Sequence, residues 1–232
     1  MLNRSVTVHG RQYPYVVYVP REFDAAHKWP VILFLHGSGE RGSDGLRPLQ
    51  IGLGAAIRFD PSRVPAIVVF PQAPADTRWI GDPADAAMAA LDWSIAEFHG
   101  DRRRTYLTGL SMGGYGTIHL ALAHPDRFAA LAVVCGGLLP HPTTTAVARS
   151  PLIPENAEPY SFVAQSLPKV PIWLFHGADD KVVPPEESRR LYEELKKAGA
   201  NVRYTEYPGV GHNAWEKAYG DANLYAWMLA PS

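Results

Sequence analysis

The chain has a single cysteine, Cys135, so it can form no intrachain disulfide and no cysteine metal cluster. It has no excess of either charge: 22 Lys and Arg stand against 23 Asp and Glu, a formal net charge of −1. That balance offers no electrostatic footprint for nucleic acid or an anionic membrane. The one basic run, Arg102-Arg103-Arg104, is short and reads as a solvated loop. No apolar stretch reaches the roughly 20 residues of a membrane-spanning helix, so no membrane insertion is expected. The opening "MLNRSVTVHG" lacks the apolar core of a secretory signal, leaving a cytoplasmic protein or the mature domain of a secreted one. There is no internal repeat and no low-complexity tract. H-E-x-x-H is absent, and His119 and His124, five apart, do not share a helix face. Neither a metal nor a cofactor is expected.

What is present is a chain of 232 residues, 47% hydrophobic, long enough to bury a core without staples as a single domain over 1–232. "SVTVHG" and "YPYVVYVP" read as an antiparallel hairpin turning near Gly10. "PVILFLHG", "AIVVFPQ", "RTYLTGLS", "FAALAVVCGG", "VPIWLFHG" and "NVRYTEYPG" follow as strands, several of them apolar on both faces. Helical patterns fall between: Asp82 to about His99, Ser111 to Ala123, Pro185 to Gly199, and about Ala214 to Leu229. Alternation of this kind predicts an α/β fold with a mostly parallel sheet covered on both faces. The stretch from Pro140 to Pro168 is rich in proline and shows no strong periodicity, so a long loop that admits short helical turns but no long amphipathic lid helix is expected.

Gly37, Gly39 and Gly42 make a G-x-G-x-x-G directly after a strand, the pattern of a dinucleotide loop. Such a loop must open a helix whose N-terminus takes the pyrophosphate. Here "SDGLRPLQIGLG" follows, broken by Gly45, Pro48, Gly52 and Gly54, which argues against the cofactor. A different motif is better placed. Gly109-Leu110-Ser111-Met112-Gly113 is a G-x-S-x-G between a strand and a helix, a context that exposes a serine on a sharp turn. A serine hydroxyl needs a base to become a nucleophile, and the base needs an orienting carboxylate. "HGADDKVVP" offers Asp179 and Asp180, and "PGVGHNAW" offers His212 in a glycine-flanked loop. The order serine, acid, histidine is one of those such triads take.

On "LHGSGERG", "PQAP" with Trp79, "YLTGLSMGGYG", "HGADDKVVP" and "GVGH" the sequence resembles the α/β-hydrolase family. It is most similar to the carboxylesterase/phospholipase-like, feruloyl-esterase-like and polyhydroxyalkanoate-depolymerase-like esterases. The resemblance runs from Leu35 to His212 and implies an α/β-hydrolase fold without a large cap domain. It implies Ser111 as nucleophile, His212 as base and Asp180, rather than Asp179, as the acid. It also implies an oxyanion hole from the backbone N–H groups of Met112 and of Ser38 or Gly39, and gives Trp79 as a substrate-pocket wall or a structural anchor. The expected substrate is a small-molecule carboxylic ester of short or aromatic, feruloyl-type acyl group. A peptidase, an acyltransferase or a non-catalytic binding module on the same scaffold remain as alternatives. His36 and His176 are expected to pack beneath the site and bond to backbone, Trp215 to line the pocket or pack the last helix, and Cys135 to be a buried small hydrophobe. Ser166-Leu167-Pro168-Lys169 matches S-x-x-K by chance, since Pro168 breaks the helix that motif needs.

Overall fold

His9 and Gly10 take positive φ, 46° and 79°, as a two-residue hairpin turn requires. They join β1 (Leu2–Val8) to β2 (Arg11–Tyr18), paired antiparallel. The structure is a computed structural model that describes residues 1–141, 147–167 and 169–230. Pro142 and Pro168, which enter the loop and S-x-x-K readings, lie outside the described residues. The remaining strands are β3 (Trp29–Leu35), β4 (Ile67–Pro71), β5 (Gly100–Leu110), β6 (Ala130–Val134), β7 (Ile172–Gly177) and β8 (Val202–Tyr207). They form one sheet in the order β1-β2-β4-β3-β5-β6-β7-β8. From β4 onward in that order every neighbouring pair is parallel, while β2 meets β4 antiparallel. This is the mostly parallel sheet with an N-terminal hairpin that the sequence predicts, and no cap domain is present among the described residues.

The apolar runs are buried on both faces because a strand turns alternate side chains to opposite sides. In β3, Val31, Leu33 and Leu35 enter one core and Ile32 and Phe34 the other. The first core is closed by α2 (Asp82–Glu97), α3 (Met112–Ala123) and α5 (Glu186–Lys197). The second is closed by α1 (Gly52–Phe59), α6 (Trp215–Gly220) and α7 (Ala222–Met228).

Four features depart from the sequence reading. Helix α1 arises in "GLGAAIRF", where closely spaced glycines look like breakers. Packing of Leu53 and Ile57 outweighs that weak propensity. Helix α4 (Pro159–Ser166) arises inside the expected loop and buries Tyr160 and Val163. The final helix is two, because Asp221 ends α6 and its carboxylate accepts from Asn223 N to start α7. Arg102–Arg104 lie not in a loop but at the start of β5. A register shift there turns Arg102 and Arg103 to solvent, and Asp101 accepts from Arg103 N and Arg104 Nε.

The segment after β6 is held by one carboxylate. Glu187 Oε2 accepts from Leu138 N at 2.7 Å and Leu139 N at 3.3 Å, and Oε1 from the Tyr160 hydroxyl at 2.9 Å. Glu187→Ala leaves those backbone donors unpartnered and is expected to lower stability by about 2 kcal/mol. Glu186→Ala, at the exposed neighbouring position, should stay within about 0.5 kcal/mol. Urea midpoints of the two variants test the contrast, and equal losses would remove Glu187 from this role.

Candidate active site

The turn between β5 and α3 is set by two glycines. A Cβ on Gly109 would lie 2.2 Å from Gly113 O, and one on Gly113 would lie 1.9 Å from Leu35 O. Only hydrogen fits, so strand and helix approach at backbone distance. Ser111 between them is forced to φ 52° and ψ −119°, a costly region for a residue with a Cβ. Its N–H donates to Val134 O at 2.9 Å, and its carbonyl accepts from Gly114 N and Tyr115 N at 2.8 and 3.2 Å. The backbone being fully engaged, the hydroxyl is left at the C-terminal edge of the sheet. The Met112 N–H opens α3 and therefore has no intrahelical acceptor.

Ser111, His212 and Asp180 come together there. Ser111 Oγ lies 2.8 Å from His212 Nε2, and His212 Nδ1 lies 2.7 Å from Asp180 Oδ2. A carboxylate only accepts, so Nδ1 carries the proton and Nε2 is free to accept the serine proton. Asp180 is 6% exposed and Asp179 is exposed. Burial pushes the Asp180 carboxyl upward, but hydrogen bonds from His176 and His212, the His212 charge and the Val182 N–H outweigh it. The group is held well below the usual carboxylate range. Its Oδ1 accepts from Val182 N and Val183 N at 2.8 and 3.0 Å.

The loop after β3 is built from below. His36, fully buried, donates from Nδ1 to Gly37 O at 2.6 Å and accepts from Ala73 N at Nε2, 3.0 Å away. Gly37 O is turned down to the imidazole, so the N–H of the same peptide, Ser38 N–H, points the other way. Arg41 Nε donates to Ser38 O at 2.9 Å, and the buried Gln72 amide bridges Glu40 O and Gly45 N. Trp79 belongs to this scaffold. It is 2% exposed, donates from Nε1 to His36 O at 3.0 Å and meets the His36 ring edge-on. These are the contacts of an anchor, and the ring also borders a recess of about 20 Å³.

A sequence profile described as the prolyl oligopeptidase family matches residues 74–230. The chain belongs to the prolyl oligopeptidase family. Carboxylesterase SOBER1 of Arabidopsis thaliana is 28% identical over 211 residues, 80% of this chain and 84% of that protein. The poly(3-hydroxyoctanoate) depolymerase of Pseudomonas fluorescens is 32% identical over 180 residues, 70% of this chain but 58% of that protein. A crystal structure described as a thermostable esterase superimposes with a TM-score of 0.81 at 30% identity, covering 98% of this chain and 62% of the other. The protein is an α/β-hydrolase and a carboxylic ester hydrolase.

Two residues of this family member do more than the sequence suggests. His176, fully buried, is expected to pack beneath the site and bond to backbone, and it does more. Its Nε2 lies 3.0 Å from Val183 O and also 3.3 Å from Asp180 Oδ2, while Nδ1 lies 2.7 Å from Ser188 Oγ. The clue was its place four residues before Asp180 at a strand end. Trp215 both packs the core of the last helices and sets its ring edge-on to His212, 5.4 Å away. His119 and His124 stay apart: His119 Nδ1 lies 2.8 Å from Ser150 Oγ, and His124 follows the end of α3. Cys135 is fully buried.

Two predictions follow from this geometry. Asp180→Asn loses the acceptor that fixes the His212 tautomer and should lower kcat by about four orders of magnitude. Asp179→Asn should stay within about tenfold, and the reverse ranking would transfer the role. The second concerns His36, whose pKa burial lowers to about 4. The unfolded chain binds that proton near pH 6.5. Stability from the neutral ring is therefore complete above about pH 6.5 and is lost as pH falls toward about 4, on the order of 3 kcal/mol in all. His36→Gln should flatten that part of the stability–pH curve, whatever its effect at pH 7, and an unchanged slope would refute the assignment.

Proposed function

We propose that this hydrolase cleaves short-chain carboxylic esters through an acyl-enzyme, with Ser111 as nucleophile, His212 as base and Asp180 as orienting acid. The observation that carries the reading is the hydrogen-bond chain from Ser111 Oγ through His212 to Asp180, at 2.8 and 2.7 Å. His212 Nε2 takes the Ser111 proton as Oγ bonds to the carbonyl carbon. The carbonyl electron pair moves onto oxygen, where the N–H groups of Ser38 and Met112 hold it. When the tetrahedral species collapses, the C–O bond to the alcohol breaks and His212 returns the proton to the leaving oxygen. Water then attacks the acyl-serine, giving its proton to His212, and Ser111 leaves with that proton as the acid departs. Asp180, ionised and buried, stabilises the imidazolium in both halves. Every proton and electron pair is accounted for by these residues and water, acting within a single domain.

The acyl side favours small groups. Beside Met112 the recess between Trp79, Tyr115 and His119 has about 20 Å³, room for about one water. An acyl chain lying in solvent gains none of the roughly 0.8 kcal/mol that each buried methylene contributes. A feruloyl group finds no stacking face on the buried Trp79. The family also includes peptidases by its description, and the same triad chemistry applies to an amide with a poorer leaving group.

Two measurements test the reading. Ser111→Ala should abolish ester hydrolysis in a folded protein, and a fluorophosphonate should label Ser111. Near-wild-type turnover in that variant would falsify the nucleophile. On p-nitrophenyl esters kcat/KM should be highest at about two to six acyl carbons, without a jump at an emulsion interface. A preference for long-chain acyl groups, or for feruloyl esters or an amide analogue over short esters, would overturn the substrate assignment.

A further inference from the structure

A groove of about 470 Å³ opens on the face of the sheet covered by α1 and α6. Ile51, Ala55, Ala56 and Phe59 wall it on one side, Trp215 and Tyr219 on the other, and Gln50 and Glu216 add one polar group to each side. At one end it is bounded by Trp215, whose ring also meets His212, 5.4 Å away. Trp215 sets its ring against the His212 imidazole at 86°. Gly52 on the groove floor is pressed to the residue before the nucleophile: a Cβ there would lie 2.6 Å from Leu110 Cδ2. The outer end closes at Arg63, which is tied to Asp60 and to Gly220 O and lies over the Phe59 ring at 5.7 Å. Phe59 itself is 83% exposed, an aromatic ring left in water beside an apolar groove.

We propose that this groove receives the alcohol half of the ester, and that the alcohol is an apolar alkyl or aryl group. The proposal rests on the triad reading above and extends it to the leaving group. His212 returns its proton to the leaving oxygen, so that oxygen sits within hydrogen-bond reach of Nε2. The oxyanion is held from the other side, by the loop after β3 and the first turn of α3. The substituent on the leaving oxygen therefore departs past His212, and the surface that continues from His212 is Trp215 and the groove. The small side chains of Ala55 and Ala56 leave its width open. Arg63 at the far end is paired with Asp60 and donates to Gly220 O, which offsets its charge. Helix α1 has eight residues, which gives the groove a run of about 12 Å. That length suits a medium chain or a single aromatic ring, joined to the short acid that the acyl side favours.

The test compares two ester series on the whole enzyme: acetates of ethyl to octyl alcohols, and ethyl esters of acids of the same lengths. In the alcohol series kcat/KM should rise roughly fourfold per methylene until the groove is filled, while the acid series shows no such rise. Ala56→Trp, which fills the groove, should lower the octyl-to-ethyl acetate ratio by about tenfold or more. Phe59→Ala, at an exposed position that folding does not depend on, should lower the same ratio by a smaller factor. Trp93→Ala, exposed on α2, should leave the ratio unchanged. A flat alcohol series in the wild type, or ratios unmoved by both groove variants, overturns the subsite while ester hydrolysis by Ser111 stands. If the wild type hydrolyses no ester of either series and takes no fluorophosphonate at Ser111, the triad reading fails, and this proposal with it.

Discussion

The site depends on one close approach of backbones. Between Gly109 and Gly113 the chain leaves β5 and enters α3 with no room for a methyl group on either side. The residue at the apex must accept a positive φ, and the nearby carbonyls and amides consume each other's hydrogen bonds. Held this way, Ser111 has one group without a backbone commitment, its hydroxyl. The strain is held by the surrounding β3, β5 and β6, whose inward side chains are fully or nearly fully buried. The core thus fixes the direction in which a single oxygen atom points.

A second constraint is electrostatic. Asp180 is a buried carboxyl surrounded by donors: two backbone N–H groups and two imidazoles. Burial alone would favour its neutral form, and the donors reverse that. A carboxylate that stays ionised in a nearly dry place is a permanent acceptor for His212 Nδ1. His36 and His176, both fully buried, act differently from His212. His36 is kept neutral by burial and ties two backbone segments, whereas His176 braces the acid from behind.

Much of the architecture was legible because each parallel strand carries an unbroken apolar run, and because G-x-S-x-G can sit between strand and helix in few ways. Asp180 and His212 were legible from their loops and their order along the chain. What escaped the sequence reading was decided by tertiary packing. Helix α1 hides behind Gly52 and Gly54, which serve close approach rather than chain breaking. Helix α4 hides behind prolines, one of which, Pro159, opens it. The split at Asp221 hides within a continuous apolar pattern, where one capping carboxylate outweighs periodicity. Trp79 could not be placed, because a tryptophan that anchors a loop and one that lines a pocket have the same neighbours in sequence. The His176–Asp180 contact was within reach of a spacing argument that had considered the acid's other side.

The sheet order has a consequence for how the site is held. Ser111 directly follows β5, in the interior of the sheet, but His212 is carried by the loop leaving β8, which is the last strand on the open edge. Residues 105–110 of β5 are all buried, whereas no residue of β8 is. Edge segments of this kind open locally at less cost than the rest of the fold. The residues that meet at this site thus rest on parts of the sheet with unequal hold: Ser111 on its buried interior and His212 on its outermost strand.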